Sequence, residues 1–406
     1  MKNSGVEWIG EIPEDWEVKK VKHSFVRKNE KAMQENPIVL SLARSGVRER
    51  DISNNEGQLA ESYYNYNPVD VDDLLINPMD LYSGANCSIS KVKGVISPAY
   101  INLRAKKNVS PVFYDYYFKV QYWMMAFFAH GNGVSFENRW TLNNETLQNY
   151  PIVAPSFETQ QRIATYLDKK CSKIEETIQN QQQVIEKLKA YKQSLITEAV
   201  TGKVKIENGK VCGEYESYKD SGVEWIGKIP SGWEIKKAKY FIKISNGSDP
   251  KTEEGDTPVY GSGAESFKTC VEFKEGPTVL IGRKGATLHI PHYIEGNYWN
   301  VDTAFDVKTY SEEILLLKFY YYCATAFDYR FYLTSTTLPS MTQTNYGNMY
   351  LPVPNTLVQK EIVEFLDNKY NAIDTAIEQK QKLIEKLTEY KKSLIYECVT
   401  GKKEVN

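Results

Sequence analysis

The sequence has almost no net charge: 50 Lys and Arg stand against 52 Asp and Glu, leaving −2 over 406 residues. A chain that met a polyanion with its whole surface would carry a basic excess. Any phosphate-facing surface here must therefore be a local patch balanced by acids elsewhere. Histidine is scarce, with 4 residues, and His289 and His292 bracket a proline with no further ligands nearby. The cysteines, Cys87, Cys171, Cys212, Cys270, Cys323 and Cys398, form no CxxC pair. That spacing suits neither a zinc site nor a disulfide framework and points to a reducing, cytoplasmic compartment. The most apolar run, residues 122–129, is far too short to span a bilayer, and the first seven residues lack a signal-type apolar stretch, so no membrane is expected.

What is present is ordinary globular material, 41% apolar and 25% charged, with 29 tyrosines suited to cores and to wet interfaces. This length allows two or three domains, each with its own core. The strongest signal is a repeat. Ser4-Gly5-Val6-Glu7-Trp8-Ile9-Gly10-Glu11-Ile12-Pro13 returns as Ser221-Gly222-Val223-Glu224-Trp225-Ile226-Gly227-Lys228-Ile229-Pro230, with Trp16 and Trp233 following. Later, Ile185-Glu186-Lys187-Leu188 returns as Ile384-Glu385-Lys386-Leu387, and Val200-Thr201-Gly202-Lys203 as Val399-Thr400-Gly401-Lys402. So long a period marks a duplicated domain-plus-helix module, 4–203 and 221–402, with the polar stretch 204–220 as connector.

Each module ends in a heptad pattern. Leu167, Cys171, Ile174, Ile178, Gln181, Ile185, Leu188, Lys192, Leu195 and Ala199 recur at alternating steps of four and three. The second copy runs Leu366, Tyr370, Ile373, Ile377, Lys380, Ile384, Leu387, Lys391, Leu394 and Cys398. This is the seam of a coiled coil, with polar positions at the same two levels in both copies. Each helix follows a proline (Pro155, Pro354) and stops at Gly202 or Gly401, the punctuation expected of helix ends. Two such rods related by a two-fold axis would lie antiparallel, with a globular domain toward each opposite end.

The segments between Trp motif and helix are less alike. Leu74-Leu75-Ile76 aligns with Val279-Leu280-Ile281, and Ala99-Tyr100 with Ala304-Phe305, at a constant offset. A helical pattern follows (112–129 and 312–333), then a short strand. The expected fold class is α+β: two domains alternating with two long helices that form an antiparallel coiled coil, in a pseudo-two-fold repeat. The boundaries are 1–22 (first Trp segment), 23–155 (first domain), 156–203 (first helix), 204–239 (linker and second Trp segment), 240–354 (second domain) and 355–406 (second helix).

Arg44, Arg48 and Arg50 lie where a strand runs into a Gly turn, and Arg283-Lys284 lies between Gly282 and Gly285 as if at a tight hairpin tip. Arginine forks guanine O6 and N7, and either cation can hold phosphate. Further polar loop candidates for contacting DNA are Asn86, Arg139, Asn246, Ser248, Ser262 and Thr336. No Walker P-loop appears, and Asn77-Pro78-Met79-Asp80 fails the Asn/Asp-Pro-Pro-aromatic tetrapeptide of adenine methyltransferases. Asp256 with Glu272 and Lys274 loosely echoes a nuclease set, a pattern common by chance. We therefore expect no catalytic and no metal-binding residues.

The doubled Ser-Gly-Val-x-Trp-Ile-Gly-x-Ile-Pro motif and the doubled helix ending in Val-Thr-Gly-Lys resemble the specificity subunits of type I restriction–modification enzymes. That resemblance implies two target recognition domains, each reading half of a split, asymmetric site in double-stranded DNA. It implies helices that space the domains and dock two adenine-methyltransferase subunits, with two restriction subunits in the full complex. S-adenosylmethionine, ATP and magnesium would be used by those partners, with no cofactor in this chain. The Trp8/Trp16 and Trp225/Trp233 motifs are expected to dock against helix ends, closing a pseudo-ring.

If the helices are the ruler, one heptad inserted after Lys187 and another after Lys386 lengthens each rod by about 10.5 Å. At about 3.4 Å per base pair, the methylated motif should gain a spacer of roughly three pairs, with partial loss of activity from the altered helical phase. Sequencing of methylated DNA from cells carrying the doubly extended protein reads this directly. An active variant with its original spacer shows that something else sets the distance.

Overall fold

The computed structural model describes residues 1–53, 60–79, 81–83, 86–134, 140–263, 265–333 and 339–405. The chain divides into two compact units. Unit 1 is Met1–Asn180 with Lys382–Asn406, and unit 2 is Gln181–Gln381. The compact unit is thus not the sequence repeat: each takes the second half of the other repeat's helix.

In unit 1 the chain runs through β1 (Glu17–Lys20), β2 (Phe25–Lys28), the hairpin β3–β4 (Leu40–Ala43, Gly46–Glu49), β5 (Leu74–Ile76), β6 (Cys87–Ile89), β7 (Ile101–Ala105), α1 (Pro111–Trp123) and β8 (Pro151–Ala154) into α2 (Phe157–Val200). An antiparallel sheet has the order β2-β7-β5-β6, and β8 returns to pair with β1. Helix α1 starts cleanly because Pro111 occupies the first turn and Ser110 Oγ accepts from the Phe113 amide. Its Phe113, Tyr114, Tyr117 and Phe118 recur at helical spacing and are buried, with Phe25 edge-on to Tyr114. Each such side chain contributes about 1.5–3 kcal/mol by leaving water.

Unit 2 repeats the plan. It contains β9 (Glu234–Lys237), β10 (Ile242–Asn246), β11 (Thr257–Tyr260), β12 (Lys268–Cys270), β13 (Thr278–Gly282), β14 (His292–Ile294), β15 (Trp299–Asn300), β16 (Ala304–Thr309), α3 (Leu317–Ala326), β17 (Tyr350–Val353) and α4 (Thr356–Val399). The sheet order β10-β16-β13-β14 matches that of unit 1 strand for strand, and a smaller sheet has the order β12-β11-β15. With Ile76 placed on Ile281, the residue opposite is Ile101 in one unit and Phe305 in the other. The sequence alignment of Tyr100 with Phe305 is therefore one residue out, a slip that exchanges the two faces of a strand. Helix α3 is also shorter than its pattern. Glu312 accepts from the Leu317 amide and so caps the helix from outside, while Phe327 turns out of the helix to be buried against Trp225.

The polar stretch after α2 is more than a connector. Lys205–Glu207 pairs with Lys210–Gly213 around Asn208-Gly209, both at positive φ, the two-residue turn that Asn-Gly favours. Ile206 from this hairpin is buried.

Helices α2 and α4 run antiparallel in both units. In unit 1 Lys391 pairs with Glu175, and in unit 2 Lys192 pairs with Asp374 at 2.5 Å while Lys380 Nζ donates to Gln181 Oε1 at 3.1 Å. Of the seam residues, Leu167, Ile174, Ile185, Leu195, Leu366, Ile373 and Leu394 are buried. Ile178, Leu188, Ile377, Ile384 and Leu387 are half-buried. Both helices finish in the same cap: the Gly202 and Lys203 amides donate to Ala199 and Glu198, and those of Gly401 and Lys402 to Cys398 and Glu397.

The cap glycines carry the closest packing. Gly202 has φ +70°, and a Cβ there would stand 2.5 Å from Pro230 and 3.1 Å from the Trp233 ring; at Gly401, φ +73°, the distances to Pro13 and Trp16 are 2.4 and 3.2 Å. The second tryptophan of each motif thus seals a helix end. Trp8 and Trp225 do not: Trp8 packs on His130 and Tyr150, and Trp225 on Phe327. Gly202→Ala or Gly401→Ala should cost about 1–3 kcal/mol through left-handed backbone strain, plus displacement of the proline ring. A urea melt checks this; wild-type midpoints in both variants would show the docked turns to be soft.

Candidate nucleic-acid interface

In unit 2, β10 ends at Asn246 opposite Phe305, and β13 ends at Gly282 opposite Ala304. The loops leaving β10, β11 and β13 and the one entering β16 therefore gather at one end of the sheet. Asn246, Ser248, Ser262, Arg283 and Lys284 all lie in these loops or at their roots. Ser262 and the Arg283 loop touch: the Thr287 hydroxyl donates to the Ser262 carbonyl at 3.0 Å, and Ser262 Oγ is 2.8 Å from where a Cβ on Gly285 would stand.

Arg283-Lys284 is not a hairpin tip. It opens a longer loop, 283–291, and the Arg283 amide donates to the Thr303 carbonyl at 2.7 Å while Lys284 bridges to Ser340. The Arg283 guanidinium donates to the Asp302 carbonyl at 3.3 Å and lies 5.9 Å from the centre of the Phe305 ring. A guanidinium has five N–H donors, and this contact engages one, so the group is oriented without being used up. Lys284 is exposed. Asn246 Oδ1 accepts from Gln343 Nε2 at 3.0 Å, and the Ser248 carbonyl accepts from the Trp299 indole at 2.7 Å. Gln343, Thr287 and Asp302 escape sequence reading because only the fold brings them to this end.

Unit 1 distributes its candidates differently. Arg44 is exposed in the two-residue turn between β3 and β4, Arg48 is exposed on β4, and Arg50 follows the far end of β4. The three arginines therefore span the hairpin instead of forming one patch. The turn lines a cleft of about 290 Å³ with Cys87, Tyr116, Lys119, Glu175 and Lys391, against the unit's helix pair. Asn86 donates through Nδ2 to the Ala43 carbonyl, tying the loop before β6 to the hairpin. Arg139 and Thr336 lie outside the described residues.

Other cations are paired with nearby acids. Lys28 Nζ sits 2.9 Å from both Asp70 and Asp73, and Arg104 bonds the same two carboxylates. The Arg104 guanidinium and then the Lys28 ammonium hold Asp70 down to about 2. Lys274 bonds Asp306 at 2.7 Å and Asn300 at 2.8 Å. Glu272 instead accepts from the Thr252 hydroxyl and the Lys251 amide, and that hydroxyl holds its carboxyl below the usual range. The loose carboxylate–lysine set of the sequence is thus divided between two local networks. His292 is held below its usual range by burial. Among the described residues no group of three or more potential metal ligands converges, and no helix is long and apolar enough to cross a membrane.

The family model of the type I restriction modification DNA specificity domain matches residues 230–386. A chain of a type I R-M system, solved in work on its complex assembly and conformational transition, superposes with a TM-score of 0.72 at 14% identity, covering 96% of this chain and 98% of that one. The HsdS subunit from Thermoanaerobacter tengcongensis superposes at 0.52 with 12% identity, covering 97% and 98%. At such identity the likeness speaks to the fold, while the family match speaks to residues 230–386, the second domain with most of α4. Residues 230–386 thus match the model of the type I restriction modification DNA specificity domain, and the chain as a whole shares its fold with these two solved chains.

Proposed function

We propose that this chain reads a bipartite, asymmetric DNA site for a type I restriction–modification complex, one half-site per unit, and positions two adenine-methyltransferase subunits there. Two restriction subunits join the larger assembly. The methyltransferase draws a base from the duplex and methylates it with S-adenosylmethionine, and the restriction subunits use ATP and magnesium. The observation that carries this reading is the pair of sheets with one strand order but different loops. A common scaffold with different loop chemistry suits two readers of different sequences. The near-zero net charge fits a clamp whose remaining phosphate contacts come from the partners.

The purified single chain should neither methylate nor cleave DNA, and co-expression with its methyltransferase partner should yield sequence-specific adenine methylation. Modification by the chain alone, or partner-dependent methylation without sequence preference, overturns the reading; the second result fits a coiled-coil adaptor.

Replacing Arg283 and Lys284 with Ala should relax one half-site and leave the other intact, because distant sites lose energy nearly independently. If Arg283 forks a guanine, its loss costs about 1–3 kcal/mol at that position. Methylation motifs of wild type and variant, compared position by position, measure this. Equal weakening on every sequence would make the pair phosphate contacts.

A further inference from the structure

Phe267 is 60% exposed, a phenyl ring facing water among polar loops. Its amide donates to the Val259 carbonyl, which fixes the residue beside the last residues of β11, at the loop end of the sheet. A Cβ on Gly261 would stand 3.7 Å from the Phe267 ring and 2.9 Å from the Thr303 hydroxyl, and the Thr303 carbonyl receives the Arg283 amide. The ring is therefore next to the segment that carries Ser262 and one residue removed from the anchor of Arg283. Lys268 Nζ lies 5.9 Å from the ring centre. Two other exposed apolar residues of the same hairpin, Val271 and Phe273, follow the opposite end of β12 and do not share this place.

Resting on the DNA-reading role above, we propose that Phe267 is a specificity-determining residue of unit 2 that reads the C5-methyl group of a thymine in the major groove. The chemistry of the groove singles out that partner. Base edges there present donors and acceptors, which Arg283, Ser262 and Asn246 can match, and one apolar group, the thymine methyl. An aromatic ring presented among polar readers has that feature as its complement. Folding gains little from leaving the ring in water, since side-chain burial is what makes Phe stabilising.

The test uses the complex formed by the full chain with its methyltransferase subunit, on duplexes carrying the methylated motif found in cells. Each thymine in the half-site that depends on Arg283 is replaced in turn by deoxyuridine, which removes the methyl and leaves base pairing intact. At one position the wild-type complex should bind about fourfold more weakly, the worth of one buried methyl group. With Phe267→Ala, thymine and deoxyuridine at that position should bind alike, while Phe267→Ala keeps the wild-type melting temperature and full recognition of the other half-site. A half-site without thymine, deoxyuridine neutral at every position, or a Phe267→Ala complex that still discriminates overturns the assignment. So does a uniform loss on all DNA. Absence of any sequence preference in the wild-type complex sinks the DNA-reading role itself, a result distinct from each of these.

Discussion

The constraint on which each unit depends is the register of α2 against α4. An apolar seam alone tolerates sliding by a heptad, because one leucine replaces another at little cost. Here the seam carries lysines that have particular partners. Lys192 leaves water, and burial lowers its affinity for a proton; Asp374, 2.5 Å away, opposes that effect, and the Tyr370 ring centre lies 3.1 Å from the ammonium. Sliding by one heptad in one sense would put Gln381 where Asp374 stands and leave the ammonium without a carboxylate, at far more cost than a lost apolar contact. In the other sense Asp367 would take that place, but it would have to leave Lys318 and Tyr322, and Val363 would replace the Tyr370 ring. In unit 1 Lys391 with Glu175 does the same work. These polar positions contribute little to stability and fix which levels meet.

Register would position nothing if the helices were loosely joined to the sheets. Near the start of each helix a buried glutamine makes the joint. Gln160 accepts from the Ser110 amide and donates to the Pro155 carbonyl, both at 2.8 Å. Gln359 accepts from the Leu316 amide and donates to the Ile314 and Pro354 carbonyls, all at 2.9 Å. Ser110 and Leu316 are the residues that precede α1 and α3, so one side chain ties the long helix to the start of the helix on the sheet. At the other end of each long helix the cap glycine lies under a proline and a tryptophan. The loop end of each sheet is therefore held by a frame whose contacts are made elsewhere, which leaves those loops able to differ between the units.

This division explains what the sequence could disclose. Seam, helix ends and repeat depend on local rules, a 3.5-residue period and a residue able to take positive φ, and were legible from Leu167 to Gly202 and again from Leu366 to Gly401. The strand register was not, because Tyr100 and Ile101 are both acceptable strand residues and only pairing with Ile76 decides between them. Arg283-Lys284 resembled a tip because glycines flank it, whereas its backbone is bonded to Thr303 and bridged to Ser340 from distant parts of the chain. The Asn208-Gly209 turn, by contrast, carries a readable signal, the dipeptide that two-residue hairpin turns favour, within the polar connector. Gln160 and Gln359 lie at equal places in the two copies, but polar residues near a helix start are ordinary, and their burial follows from the fold alone.

The same logic bears on charge. Lys28 and Arg104 are bonded to the carboxylates of the 70–73 turn, Lys274 to Asp306 of β16, and Lys192 and Lys391 to acids across the seam, so these cations cancel locally. Cations spent inside the scaffold add nothing to an outward field, and their acidic partners account for part of the even count. The loop end of unit 2 instead presents Arg283 and Lys284 beside hydroxyl and amide groups and the exposed Asp302, a mixed composition that suits reading base edges better than gripping a phosphate backbone. A reader built this way gains discrimination from each contact and little general affinity. Under the proposed reading, general affinity comes from the partners' surfaces, and a chain with that division of labour has no need of a basic sequence.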